Sequence, residues 1–233
     1  MDDKALSAGS GSTDAGSELS GGVMLPGFVY GEPFDIRKLY LFFNSWQYRK
    51  TTYEILFYKK EDLADMIYNI AVFHKDLDKS VSIERFRNGA QGFHYSTMQI
   101  VVWLNSSCKK HTVFGDKEIY FVKRLIKDGV LKIKTPGNFE QGNSINHILG
   151  AAEGKKRNMT LNLTHEIIHV IWDQNQEFKN RYLKKWNNFS EEEKTKIIES
   201  FKGYDKSNVD QIIEEWAVKQ NEHKVIGVIM NEQ

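Results

Sequence analysis

The most chemically informative segment of this 233-residue chain is His165-Glu166-Ile-Ile-His169. In a helix, His165 and His169 lie one turn apart on the same face, where two imidazoles can bind one metal ion from the same side. Glu166 is rotated by about 100° from His165, so its carboxylate misses the metal but can reach a water molecule beside it. The residue types and spacing therefore indicate metal-assisted hydrolysis with Glu166 as the general base.

The surrounding residues have the composition of a buried helix, which we expect over residues 160–174. A charged glutamate in so apolar a segment needs a partner or a chemical role. The alternative interpretation is two structural histidines that happen to lie one turn apart. The apolar residues that predict burial of this helix are Ile167, Ile168, Val170, Ile171 and Trp172.

A catalytic zinc site normally has a third protein ligand. The continuation H-x-x-G-x-x-H, typical of metzincins, is absent, because Trp172 and Asn175 occupy its glycine and histidine positions. A later amphipathic helix, expected after Ser207-Asn208, carries Glu214 and Glu215 on opposite flanks of its apolar stripe. Helical periodicity does not choose between these two glutamates, and a solvated acidic pair is the alternative.

The His165–His169 motif followed by Glu214-x-x-Ala217 resembles a minimal gluzincin-type zinc metallopeptidase of the zincin superfamily. The resemblance is confined to this part of the chain. It implies Zn²⁺ bound by His165, His169 and Glu214, since only Glu214 lies three residues before Ala217. It also implies a zincin-like fold in which a peptide substrate pairs with an edge strand. The other carboxylates left open as ligands are Glu215, Glu177, Asp173 and Asp205.

Further residues are candidates for supporting roles. Asp173 follows His169 by four residues, a spacing that resembles thermolysin-like enzymes, and it is either a partner of the metal-binding histidines or an ordinary carboxylate at a helix end. Tyr204 is the preferred donor to a developing oxyanion, with Tyr182 and His223 as alternatives, although each has an equally simple structural role.

The other histidines and the single cysteine lack metal-ligand spacing. Cys108 excludes an intrachain disulfide and any zinc site built from several cysteines. We therefore expect ordinary structural roles for His74, His94, His111 and His147.

The pattern of elements predicts an α+β fold, with a mixed sheet followed by the active-site helix and a helical C-terminal part. Strands are expected at 52–58, 81–86, 95–105 and 130–134, and helices at 61–78, 117–127, 160–174 and 178–186. Two more helices should begin at the capping residues Ser190 and Asn208, the first ending at Gly203. Residues 137–158 are expected to be irregular. Residues 95–105 are the preferred edge strand, with 130–134 as the alternative.

Composition limits the partners and the domain organisation. The 32 basic and 31 acidic residues leave a net charge of +1, which disfavours nucleic acid as a partner. No run of 18 apolar residues or secretory leader is evident, so we expect a soluble protein that is cytoplasmic or delivered by a non-classical route. Residues 1–22, rich in Ser and Gly, are expected to be a disordered tail preceding one zincin-like domain at 23–233.

Two classes of function follow. The first is a zinc-dependent endopeptidase, including the narrower case of an effector, toxin or regulatory protease with one protein substrate. The second is a non-catalytic metal-binding regulatory or interaction module on the same fold. The intact Glu166 favours the enzyme, because a module that only binds metal does not need a general base.

Overall fold

A computed structural model describes residues 27–31, 49–153 and 159–222. The predicted tail at 1–22, the expected start of order near Val23, and His223 lie outside the described residues. In chain order the elements are β1 (Gly27–Tyr30), a 3-10 turn (Arg49–Thr51), β2 (Thr52–Phe57), α1 (Lys60–His74), α2 (Ile83–Gly89), β3 (Gly92–Ser96), α3 (Thr97–Lys109), α4 (Asp116–Lys127), β4 (Leu131–Thr135), β5 (Asn138–Gln141), β6 (His147–Ala152), α5 (Met159–Gln174), α6 (Gln176–Asn187), α7 (Glu191–Ser200) and α8 (Val209–Lys219).

The architecture is α+β with a mixed sheet, as predicted. Four strands pair in the order β1-β2-β6-β3, with β1, β2 and β6 parallel and β3 antiparallel to β6. Strands β4 and β5 form a separate antiparallel hairpin. Within the described residues β3 has one strand neighbour, so it forms an edge of the main sheet.

One face of the sheet packs on the main hydrophobic core. Phe93 of β3 and Ile148 of β6 are buried there with residues of helices α1, α3 and α4, including Leu63, Ile100 and Phe121. Because side chains alternate along a strand, Gly92 and His94 of β3 must lie on the opposite face from Phe93. By the same alternation His147 and Leu149 of β6 lie opposite Ile148.

Helix α5 packs on that opposite face, against β3 and β6. The amide of Asn162 on α5 donates a 2.7 Å hydrogen bond to the carbonyl of Ala152 at the end of β6. The carboxylate of Glu166 lies against Gly92. This packing places the H-E-x-x-H segment beside the edge strand of the sheet.

The C-terminal helices form a second core on α5. Ile168 and Trp172 of α5 are buried together with aromatic side chains of α6 and with Ala217 of α8. Ala217 is fully buried, and its small side chain permits the close approach of α8 to α5. The predicted capping box at Ser190 is present at the start of α7. No helix in the described part of the chain is long and apolar enough to cross a bilayer.

The strand predicted at 95–105 is wrong beyond its first two residues. Tyr95 and Ser96 end β3, and α3 begins at Thr97. Ser96 and Gln99 form a capping box, which starts a helix where alternation alone suggested a continuing strand. In a strand, Met98 and Ile100 would lie on the same face. In the helix they lie on different sides, since Met98 is 53% exposed whereas Ile100 is fully buried.

Two further predictions of local structure are wrong. The strand expected at 81–86 is replaced by α2, which begins after Ser82 because the Ser82 hydroxyl accepts a hydrogen bond from the backbone of Arg85. The irregular segment expected at 137–158 contains β5 and β6. Strand β6 ends in Gly150-Ala-Ala152, whose small residues do not signal a strand. The remaining expected helices and the strands at 52–58 and 130–134 are confirmed. Two of these helices end early: α1 ends at His74, where Lys75 adopts the left-handed conformation, and α7 ends at Ser200 rather than Gly203.

Gly150 provides a test of the packing between β6 and β3. A Cβ added at Gly150 would lie 2.3 Å from Cε1 of Phe93, whose ring packs against Phe57 and Phe121 and has little room to move. Gly150→Ala should therefore lower the free energy of unfolding by about 1–3 kcal/mol, measured by urea denaturation. Gly89→Ala is the control, because its added Cβ meets nothing within 4 Å. Equal losses in the two variants would contradict this account.

Candidate metal centre

A cavity of about 830 Å³ lies where β3, α5 and α8 meet. More acidic than basic side chains line it, so its interior favours cations. The acidic residues are Asp76, Glu166, Asp173, Asp210, Glu214 and Glu215, and the basic ones are Arg85, Lys179 and Lys202.

The two histidines of the motif converge as the helical spacing predicts. His165 and His169 both lie on α5, and their Nε2 atoms are 3.3 Å apart. The two rings are nearly perpendicular, with centroids 5.0 Å apart. Both Nε2 atoms can therefore face a single ion.

Glu215 supplies the carboxylate that faces both Nε2 atoms. Its Oε2 is 3.4 Å from Nε2 of His165, and its Oε1 is 3.6 Å from Nε2 of His169. The Oε2 atom is buried and has no hydrogen-bond partner among the described residues. One donor atom from each of the three residues lies within 4.8 Å of the other two. His165, His169 and Glu215 thus form a three-ligand cluster.

Glu214 lies behind His169, on the far side of its ring from the cluster. Its Oε1 is 2.5 Å from Nδ1 of His169, and Glu222 makes the equivalent contact of 2.6 Å with Nδ1 of His165. A carboxylate that accepts from Nδ1–H fixes the tautomer and orientation of a histidine and leaves Nε2 available for a ligand. The geometry therefore does not favour Glu214 over Glu215 as the third ligand, in contrast to the E-x-x-A resemblance.

Two hydrogen bonds hold the residues after α8 in place, and the hydroxyl of Tyr182 donates one of them. The Tyr182 hydroxyl donates to Oδ1 of Asn221 at 2.9 Å, and the Asn221 amide donates to the carbonyl of Ala217. Asn221 is adjacent to Glu222, so these bonds position the carboxylate that contacts His165. Tyr182 is buried in the helical core and is absent from the cavity lining, so it does not take the place expected of an oxyanion donor.

Glu166 lies beside the cluster without belonging to it. Its side chain is buried and reaches the edge strand, where a Cβ on Gly92 would fall 2.2 Å from Oε1. Only glycine at this position leaves room for the carboxylate. Glu166 is therefore next to His165 in the chain, with its carboxylate turned towards β3.

Tyr204 lines the cavity and contacts Glu215. Burial raises the pKa of Tyr204 well above its usual value, as do the charge of the Glu215 carboxylate and a hydrogen bond to it. Tyr204 therefore stays protonated and can act as a donor. Near it, burial raises the pKa of Asp76 to about 7, although a hydrogen bond with the Tyr95 hydroxyl opposes the shift.

The carboxylates also control the protonation of the two histidines. Burial lowers the pKa of His165, but the carboxylates of Glu215 and Glu222 outweigh it and raise the value to about 10. In the same way Glu214 raises the pKa of His169 to about 9 against its burial. Burial would raise the pKa of Glu215, but His165 and His169 lower it to about 2. Without a metal ion, protons on the histidines balance the buried negative charge.

Two roles are open to Asp173 from the sequence, and it makes no ion pair or hydrogen bond with His165 or His169 among the described residues. Its Oδ2 is 3.9 Å from Nε2 of His94 and 3.9 Å from Nδ1 of His147. The ring of His94 stacks on that of His169 at 5.9 Å. No linear spacing indicates a metal site at His94 and His147, because their proximity depends on the register of β3 against β6.

The other candidates lie apart from these clusters. Glu177 and Asp205 are absent from the cavity lining and from every metal-competent group found among the described residues. The same holds for His111 and Cys108, and His74 lines the cavity without joining a group. No sequence pattern indicates that Glu222 contacts His165, because Glu222 lies beyond the end of the predicted helix.

Comparisons of the chain with protein-family models, curated proteins and solved structures found no match. The gluzincin resemblance therefore rests on the His165–His169 motif and on the acidic residues of α8.

Proposed function

We propose that this protein is a zinc-dependent endopeptidase whose general base is Glu166. The observation that carries the proposal is that donor atoms of His165, His169 and Glu215 lie within 4.8 Å of one another in the cavity. Glu166 lines the same cavity and its charge acts on His165. A non-catalytic metal-binding module would need the three ligands but has no use for Glu166 in this position.

The donor set suits zinc. Two imidazole nitrogens and one carboxylate are a common catalytic zinc set, and they leave a fourth position open. The Nε2–Nε2 separation of 3.3 Å matches the edge of about 3.3 Å of a tetrahedron with bonds of about 2.0–2.1 Å. The two oxygens of Glu215 lie 3.4 Å from Nε2 of His165 and 3.6 Å from Nε2 of His169. The buried, unbonded Oε2 of Glu215 also calls for a cation. We therefore assign Glu215 as the third ligand and Glu214 as the residue that orients His169.

The residues around the ion have distinct roles in peptide hydrolysis. Bound at this position, zinc would supply a Lewis acid and lower the pKa of a water molecule. The Glu166 carboxylate takes a proton from the nucleophilic water and delivers it to the leaving amine. The Tyr204 hydroxyl, which burial keeps protonated, donates a hydrogen bond to the developing oxyanion.

The edge strand β3 binds the substrate main chain in this proposal. It forms one of the two edges of the described sheet, antiparallel to β6, and Gly92 faces Glu166. A peptide that pairs with β3 would therefore pass beside the general base. Together with the facing helices α5 and α8, this arrangement supports a zincin-like fold.

The first test is cleavage by the Glu166→Gln variant. The amide keeps the shape of the side chain but cannot accept the proton, so turnover should fall by at least about 10²-fold while bound zinc is retained. Cleavage of an unbiased peptide library, read by mass spectrometry, measures the activity.

A strong chelator should abolish wild-type cleavage, and Zn²⁺ should restore it.

Two outcomes would contradict the peptidase. Cleavage that survives Glu166→Gln would exclude the general base, and cleavage that survives chelation would exclude the metal. Zinc binding by the wild-type protein without cleavage of any peptide or protein substrate would favour the non-catalytic module.

The second test compares two adjacent glutamates. Glu215→Gln removes a proposed ligand, so the variant should be purified with little zinc. Glu214→Gln removes only the partner of Nδ1 of His169, so zinc should remain at purification with an affinity lower by about 10–100-fold. Plasma mass spectrometry gives the zinc content, and each variant is the control for the other. The opposite result would restore the assignment of Glu214 as ligand.

The third test uses the pH dependence of stability. The pKa values of about 9 for His169 and about 10 for His165 mean that protonation stabilises the metal-free fold fully below about pH 6.5, with this contribution lost as the pH rises through 9 and 10. Zinc replaces these protons. The difference in Tm between zinc-loaded and metal-free protein should therefore widen from pH 6.5 to 9.5. A difference that stays constant or narrows would contradict the charge balance, and His169→Gln should not show the widening.

A further inference from the structure

A second group of metal-competent side chains lies next to the proposed zinc site. Nε2 of His94 is 3.0 Å from Nδ1 of His147, and each of these atoms is 3.9 Å from Oδ2 of Asp173. We propose that His94, His147 and Asp173 form a second metal site, which binds a divalent transition-metal ion such as Zn²⁺.

Rigid elements hold these three side chains in position. His94 lies in β3 and His147 at the start of β6, where the register pairs His94 with Leu149 and Ser96 with His147. Alternation places both histidines on the sheet face that packs against α5. The rings of His94 and His147 stack at 5.2 Å, so their planes are fixed before any ion binds. A preformed site of this kind costs little reorganisation on binding.

The three side chains make only one hydrogen bond with one another. The two imidazole nitrogens, 3.0 Å apart, can share a single hydrogen bond. The Asp173 carboxylate is 3.9 Å from both, beyond hydrogen-bonding distance. All three donor atoms therefore border one gap between them, and a cation in that gap would contact all three.

The neighbours of His147 and Asp173 suit metal binding. The Gln174 side-chain amide contacts Nε2 of His147 at 2.6 Å. In the structure the amide nitrogen of Gln174 donates to Nε2, so the neutral His147 carries its proton on Nδ1. A metal ion at Nδ1 would displace that proton, and the Gln174 amide would turn so that its oxygen accepts from Nε2–H. The His147 side chain is 3% exposed and that of Asp173 is 35% exposed, so the carboxylate marks the side from which an ion enters.

The two proposed sites adjoin each other through His169. Its Nε2 faces Glu215, its Nδ1 contacts Glu214, and its ring stacks on His94. One donor atom each of His94, His169 and Glu214 also lies within 4.8 Å of the other two. The second site does not depend on peptidase activity, and two imidazoles with one carboxylate select borderline metals such as Zn²⁺ or Co²⁺ rather than Mg²⁺ or Ca²⁺.

Metal stoichiometry tests the proposal. Metal-free full-length protein is loaded with Zn²⁺, exchanged into metal-free buffer and analysed by plasma mass spectrometry. We expect about two ions per wild-type chain, about one in Asp173→Asn or His147→Gln, about one in Glu215→Gln, and almost none in the Asp173→Asn/Glu215→Gln double variant. Asp210→Asn is the matched control, because Asp210 lines the same cavity but joins no ligand group, and it should keep two.

Titration with Co²⁺ adds a spectroscopic measurement. Wild-type protein should develop visible absorption in two steps, and Asp173→Asn should lose one of them. His147→Gln provides the same test through a different ligand.

The outcomes separate this proposal from the proposed function. One ion per wild-type chain, kept in Asp173→Asn and His147→Gln but lost in Glu215→Gln, would overturn the second site and leave the peptidase intact. One ion that is lost in Asp173→Asn and kept in Glu215→Gln would support the second site and overturn the proposed zinc centre. Two ions kept in both Asp173→Asn and His147→Gln would overturn the placement of the second site.

Discussion

Several buried carboxylates surround the two histidines of the motif, and their negative charge constrains how the neighbouring helices pack. Glu166, Glu215 and Glu222 are all buried, and Glu214 lies against the same pair of rings. Carboxylates removed from water are stable only when a positive charge balances them. Protons on the histidines can supply part of that charge, and a divalent ion can supply it at one point. A cavity with this composition is therefore suited to binding a cation.

This constraint explains the packing of the two helices that carry the charges. Helix α8 has to approach α5 closely for Glu215 to face both Nε2 atoms, and the fully buried Ala217 makes that distance possible. The aromatic residues of α6 pack in the same buried cluster as Ile168 and Ala217. The apolar core thus raises the free energy required to bury the charged carboxylates, and it also fixes their geometry.

Neighbouring residues on one helix perform different tasks because helical geometry separates them by about 100°. Glu215 faces the Nε2 atoms, whereas Glu214 reaches Nδ1 of His169 from behind. On α5, successive turns place Glu166 against Gly92, His169 against His94, and Asp173 near His94 and His147. The strand β3 therefore borders the whole series of polar residues along α5. This is why the groups of possible metal ligands adjoin one another along α5.

The features that the sequence predicts correctly are local ones. The His165–His169 pair, the position of Glu166 beside it and the capped helices follow from spacing within single elements, and the structure contains them. The prediction of a strand over residues 95–105 is wrong, because alternation and helical spacing both fit that segment and only the cap at Ser96 distinguishes a helix from a strand. The tertiary structure alone decided which glutamate of α8 faces the Nε2 atoms and which histidines join Asp173. Those contacts depend on the distance and rotation between α5 and α8 and on the register of β3 against β6, and packing between distant segments sets all of these.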